Sequence, residues 1–234
     1  MRSILPKPPL RVVFVGNSLT EYNGGVDRHL RLLLQAADKW NAPAFATVAV
    51  TRAGAYLHEQ VAPLREFLER GLPWDAVVLQ GYSDEPGNED PAVAERFEES
   101  VRQLDAIVRD ARSRPVLFMT WGYRGRADMG RRVASSYLRA GEALHVPVVP
   151  VGLAFERSGR ELPALALIAD DARHPTPAGT YLAACVFFAA FEGRTPEGNT
   201  YIAGLDPATA RSLQGLAWRS AREFYGWTHP VVSP

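Results

Sequence analysis

The sequence is short of several things, and each shortage closes off a class of protein. It has one cysteine, Cys185, so no intrachain disulfide can form. Cys185 sits inside an apolar run with nothing nearby to activate a thiol, and it is expected to fill a helical core. Neither sign of charge is in excess, since Lys+Arg and Asp+Glu are equal at 26. With no long basic run, neither nucleic acid nor an anionic membrane surface is an expected partner. The longest apolar run, Tyr181 to Phe191, falls well short of the roughly 20 residues that span a bilayer. The opening MRSILPKPPL carries charge but no apolar segment of signal-peptide type, which points to a cytoplasmic chain. The five histidines are scattered, without His-x-x-x-His or Cys-x-x-Cys spacing, so no metal is expected. No Gly-x-Gly-x-x-Gly or Walker-type loop follows the first strand, which argues against a nucleotide or flavin cofactor.

What the sequence does have is a regular alternation of strand and helix patterns. Its 234 residues, 47% hydrophobic, suffice for one large core. A single domain over 1–234 is expected, with its core over about 10–226. The tail THPVVSP, with His229, is expected to be peripheral. Five apolar runs read as strands: RVVFVG (11–16), FATVAVT (45–51), DAVVLQG (75–81), RPVLFMTWG (114–122) and VPVVPVG (146–152). Several are continuously apolar, as suits parallel strands buried on both faces. Between them, Val26, Leu30, Leu33, Leu34 and Ala37 share one helical face. Phe97, Val101, Leu104, Val108 and Ala111 share another, and Val133, Tyr137, Gly141 and Leu144 a third. Asp90-Pro91, Thr176-Pro177 and Asp206-Pro207 each place a capping oxygen before a proline, a helix-start signal. The helix from Pro177 is apolar nearly all round and should pack between layers. The fold class is therefore α/β: a three-layer α/β/α sandwich on a five-stranded parallel sheet.

Ligands in such sheets bind at the carboxyl ends of the strands. The first strand ends in Gly16-Asn17-Ser18. A serine hydroxyl needs an adjacent base to act as a nucleophile, and a histidine serves when a carboxylate orients it. Asp171 and His174, three residues apart before the Thr176-Pro177 helix start, can supply both. Asp170 is expected to be solvated, since the three-residue spacing favours Asp171. In order and spacing, FVGNSLT, Gly54, VVLQGYSD and DARHPTPAG resemble the first, second, third and fifth blocks of the SGNH hydrolase superfamily. That superfamily is also known as the GDSL-type esterases and lipases. The nearest flavour is a bacterial branch with Gly-Asn-Ser at the nucleophile.

The resemblance implies a flavodoxin-like sandwich and hydrolysis of acyl esters through a covalent acyl-enzyme, without metal or cofactor. Ser18 would be the nucleophile, His174 the base and Asp171 its orienting partner. The backbone amides of Ser18 and Gly54 would hold the oxyanion. A third donor is expected after the third strand, where Ser83 stands in place of the superfamily's asparagine. The order of preference is Ser83, then Gln80, then no third donor. Asn17, Trp121, Tyr123 and Arg124 are candidate substrate contacts, the aromatic and arginine groups being suited to a sugar or an acid. The expected substrate is a small-molecule or carbohydrate ester with a short acyl group such as acetyl. The alternative is a degenerate fold of this type that binds a glycan with little or no turnover. Oligomeric state is not legible in the sequence.

Overall fold

The computed structural model describes residues 3–227, so the expected tail with His229 lies outside the described residues. Five strands, β1 (Arg11–Gly16), β2 (Ala46–Thr51), β3 (Ala76–Leu79), β4 (Arg114–Phe118) and β5 (Val148–Val149), form one parallel sheet. Its order is β2-β1-β3-β4-β5. This is the flavodoxin-like order, which opens a crevice at the carboxyl ends of β1 and β3. Side chains alternate between two apolar layers. Val12, Phe14, Val78 and Phe118 enter one, while Val13, Val15, Val77 and Leu117 enter the other.

β1 fills its apolar run, and the other four strands are shorter than theirs. The run over 75–81 ends as a strand at Leu79, and that over 114–122 ends at Phe118. The run over 146–152 keeps only Val148 and Val149. Pro147 and Pro150 bracket that pair and have no N–H to give to a ladder.

Eight helices complete the described residues: α1 (Ser18–Glu21), α2 (Val26–Ala37), α3 (Val61–Glu69), α4 (Pro91–Asp110), α5 (Ala127–Leu144), α6 (Val151–Glu161), α7 (Pro177–Glu192) and α8 (Pro207–Phe224). The three expected caps form: Asp90 accepts from Ala92 N, Thr176 from Gly179 N, and Asp206 from Ala208 N and Thr209 N. Helices α3 and α6, like the single turn α1, lie outside the sequence expectation. Pro63 interrupts α3, and Gly152 and Gly159 weaken α6 as a helical pattern. Gly152 is nonetheless required, because a Cβ there would run into the Thr120 backbone carbonyl. No helix among the described residues is long and apolar enough to cross a membrane.

Helix α7 explains its own composition. Every residue from Ala178 to Phe191 is buried. It lies between α2 and α6 and is covered by α8. On its sheet side, Phe187 meets Phe14 at 5.1 Å and Phe118 at 5.0 Å between ring centroids, both edge-on. A helix surrounded on every side has no polar face to keep. Cys185 belongs to this helix, and burial pushes its thiol pKa up. Removing Phe187 should therefore leave a cavity between sheet and helix. We expect Phe187→Ala to cost about 3–5 kcal/mol in a urea titration. An unchanged midpoint would show that the layers close over the gap.

Candidate active site

The turn after β1 is held by three buried side-chain amides. The Asn17 N–H donates to Gln80 Oε1 at 3.0 Å, and Thr20 Oγ1 donates to the same oxygen at 3.0 Å. Gln60 Nε2 donates to the Gly16 carbonyl at 2.9 Å. Asn17 Nδ2 donates to the Ala55 carbonyl at 3.0 Å, while its Oδ1 caps α1 by accepting from Leu19 N. Gly16 is glycine because a Cβ would collide with Gln80 Oε1. The outcome is a fixed turn that presents a half-buried Ser18 at the start of α1. The Ser18 N–H has no acceptor among the described residues, and neither has the Gly54 N–H. Gly54 lies at φ +73 with open space where a Cβ would stand, so backbone conformation rather than crowding calls for glycine there.

A second, equally constrained loop brings the base. Ala169 N donates to the His174 carbonyl at 2.8 Å and Thr176 N to the Leu167 carbonyl at 2.9 Å, closing a narrow loop. Ala172 sits in the left-handed region at φ 63. From outside, Trp121 Nε1 donates to the Arg173 carbonyl at 3.0 Å, and Arg124 N to the Ala172 carbonyl at 2.9 Å. Asn23 Nδ2 donates to the Pro175 carbonyl at 2.9 Å. Asn23 is fixed in turn by the buried His29, whose Nε2 donates to its carbonyl at 2.9 Å. Burial pushes the His29 pKa down, as suits a neutral ring in that role.

The two loops meet in one hydrogen-bonded line. Ser18 Oγ lies 2.9 Å from His174 Nε2, and His174 Nδ1 lies 2.5 Å from Asp171 Oδ2. The other Asp171 oxygen accepts from Arg173 N at 2.9 Å and His174 N at 3.0 Å. These bonds, the His174 side chain first and then the amides, hold the Asp171 carboxyl well below the usual carboxylate range. A charged carboxylate only accepts, so the Nδ1 position carries hydrogen and Nε2 faces the serine hydroxyl as an acceptor. Tyr22 stacks on the His174 ring at 4.0 Å and 5°, fixing its plane. Such a line can take a proton from Ser18 and hold it on a ring whose charge Asp171 balances.

Solved structures with this architecture are known. A candidate SGNH hydrolase from Slackia heliotrinireducens is 28% identical, with TM-score 0.64 over 77% of this chain and 98% of its own. A DUF4886 family protein from Bacteroides uniformis is 18% identical, with TM-score 0.71 over 93% of this chain and 95% of its own. An acetyl xylan esterase from Geobacillus stearothermophilus is 20% identical, with TM-score 0.57 over 82% of this chain and 97% of its own. The chain is related to the SGNH hydrolase superfamily. Its structural neighbours support a hydrolase. No protein-family model matches the sequence, and no curated protein matches it at a significant level.

Set against the SGNH blocks, several side chains expected at the substrate have other duties. Gln80 is 1% exposed; its Oε1 holds Asn17 and Thr20, and its Nε2 donates to the Gly81 carbonyl. Its carboxamide ties the serine turn, with one of its two amide hydrogens spent on the Gly81 carbonyl. Asn17, 1% exposed, spends both ends of its carboxamide on backbone groups rather than on substrate. Trp121, 2% exposed, stacks on Phe155 at 4.1 Å and 2°, so its face is taken and cannot receive a sugar. Arg124 clamps the base loop, through its backbone N–H and through its guanidinium on the Asp170 carbonyl at 3.1 Å. Exposed Asp170 pairs with it at 3.6 Å.

The two remaining candidates pair with each other: Ser83 Oγ and Tyr123 Oη are 2.7 Å apart. Trp121, Tyr123 and Arg124 also line a groove of about 710 Å³ with Leu165 and Ile168, but Ser18, Asp171 and His174 do not reach it. The sequence offered no clear signal for Gln60, Tyr22 or Glu85. Glu85 is fully buried; its Oε2 joins two strand-end loops by accepting from Tyr82 N at 3.0 Å and Leu57 N at 3.1 Å. Burial pushes its pKa up.

Replacing Gln80 by leucine would strand the buried Asn17 N–H. The expected loss is about 1–3 kcal/mol of unfolding free energy, read by urea titration. Equal stability of Gln80→Leu and the wild type would show that the turn does not depend on this amide.

Proposed function

We propose that the protein is a serine hydrolase that cleaves short-chain acyl esters, acetyl esters foremost, by a Ser-His-Asp mechanism. The reading is carried by one observation: side chains 156 residues apart converge so that Ser18 Oγ lies 2.9 Å from His174 Nε2, with Asp171 behind. Ser18 Oγ attacks the ester carbonyl carbon while its proton passes to His174 Nε2. The carbon–alkoxy bond then breaks, and His174 gives that proton to the leaving alcohol. Water attacks the acyl-Ser18 ester with His174 as base. The bond to Oγ breaks, the carboxylic acid departs and Ser18 regains its hydrogen.

The negative charge of each tetrahedral intermediate falls to the uncommitted N–H groups of Ser18 and Gly54. Ser83 is the third donor in this scheme. Either hydroxyl can donate across the Ser83–Tyr123 contact; the scheme takes Tyr123 as the donor, which leaves the Ser83 hydrogen for the oxyanion. A carbohydrate alcohol is favoured by the tyrosines of the strand-end loops. Tyr22 is 41% exposed beside His174, and Tyr56 stacks on Tyr82 at 4.7 Å. The acetyl xylan esterase among the structural neighbours is consistent with that substrate class. The single-domain organisation expected from the sequence is part of the same proposal.

Ser18→Ala should abolish hydrolysis of para-nitrophenyl acetate, and a fluorophosphonate probe should label the Ser18 peptide in mass spectrometry. Hydrolysis at the wild-type rate by Ser18→Ala, or labelling elsewhere, would refute the mechanism. Glycan binding without acyl release across an ester panel would instead favour a non-hydrolytic protein. Ser83→Ala should lower kcat by about 10²-fold. Full activity in that variant would leave the oxyanion to the two backbone amides.

A further inference from the structure

The loop that delivers His174 also carries a side chain with no part in acyl transfer as described. Arg173 immediately precedes His174, and its guanidinium lies over the Tyr123 ring, 5.0 Å from the centroid. Its Nη1 donates to the Tyr82 hydroxyl at 3.2 Å. Two tyrosines from different strand-end loops thus hold the cation in place, half-buried. No carboxylate among the described residues comes within 4.0 Å of its nitrogens. Neighbouring arginines are neutralised, Arg124 by Asp170 and Arg52 by Glu59. Asp171 accepts the backbone N–H of Arg173 and spends its other oxygen on His174. Burial first, and the charge of Asp84 after it, push the Tyr123 pKa up, but Asp84 does not pair with the guanidinium.

A guanidinium offers a planar fork of N–H donors that matches a carboxylate, and here Nε and Nη2 have no protein acceptor among the described residues. Its position is already fixed, so little side-chain freedom is lost when an anion binds. We propose that Arg173 binds a carboxylate on the substrate, so that the preferred substrate is an acyl ester of an acidic molecule rather than of a neutral one. The proposal rests on the serine-hydrolase reading. His174 returns its proton to the leaving alcohol, and Arg173 is its chain neighbour. The alcohol part is therefore the expected bearer of the carboxylate.

Two matched ester pairs test this. Para-acetoxybenzoate and its methyl ester place or remove a carboxylate on the alcohol side. Para-nitrophenyl hemiglutarate and para-nitrophenyl butyrate do so on the acyl side. Wild type should favour para-acetoxybenzoate over its methyl ester by at least about tenfold in kcat/KM, chiefly through KM. Arg173→Gln should erase that ratio, and Arg173→Lys should keep part of it. An Arg173-dependent preference in either pair supports the carboxylate site, and the pair that shows it names the side. Should Arg173→Gln fail to fold, wild type decides alone: added salt should raise KM for the carboxylate ester more than for its neutral partner. Equal salt responses, no preference in either pair, or a preference that survives Arg173→Gln would each overturn the proposal. Ser18-dependent hydrolysis of neutral esters without carboxylate preference sinks the Arg173 site and spares the hydrolase. Absence of any Ser18-dependent hydrolysis sinks both.

Discussion

The site depends first on how the turn at Gly16-Asn17-Ser18 is tied. A chain leaving a buried strand exposes backbone groups that must find partners. Here the partners are the carboxamides of Gln60 and Gln80, with Asn17 reaching across to Ala55. Each bond alone contributes only about 1 kcal/mol net. Their effect is larger because all are buried: breaking one leaves a group that water cannot reach. The same bonds leave the Ser18 N–H uncommitted. Fixing the turn and freeing that amide are one arrangement.

The base loop meets the same demand differently. It runs over the surface, and Asp171 is half-exposed, so burial cannot fix its charge or direction. Local bonding does both. Two backbone amides and the imidazole converge on one carboxylate and keep it ionised. Trp121 and Asn23 then hold the loop by its carbonyls, and Tyr22 sets the ring plane. Helix α7 begins directly after this loop. Gly179 in its first turn lets the Leu167 carbonyl approach where a Cβ could not fit. A helix buried from Ala178 to Phe191 therefore anchors the loop that carries His174.

The parallel sheet was legible because it rests on local signals, while Ser18, Asp171 and His174 were grouped through the resemblance to the SGNH blocks. Apolar runs, capped prolines and short motifs at strand ends need no knowledge of distant contacts. The duties of Gln80 and Trp121 do need it. Nothing about a glutamine at the end of a strand says whether its amide faces a ligand or a neighbouring backbone. That is decided by Asn17 and Thr20, some 60 positions away. Trp121 reads as a sugar platform until α6 is present to set Phe155 against its face. Since α6 was itself obscured by its glycines, the error in one element carried into the other. Glu85 was hidden for the opposite reason: an acidic loop residue suggests solvent, yet two amides draw it fully inside.

These reassignments move substrate recognition away from the tryptophan and the asparagine of the turn. Those side chains are spent on rigidity. The surroundings of the base loop are tyrosine-rich: Tyr22 stacks on His174, Tyr82 and Tyr123 hold Arg173, and Tyr56 stacks on Tyr82. Tyrosine presents a flat apolar face and a hydroxyl with few rotatable bonds, so it can bind a ring without losing much freedom. Ser83 lies among these residues, 3% exposed and bonded to Tyr123. Its hydroxyl is shorter than the asparagine carboxamide of the SGNH pattern, and the Tyr123 hydroxyl bonds it at 2.7 Å. Serine at this position thus comes with a hydrogen-bond partner, Tyr123, that restrains its hydroxyl.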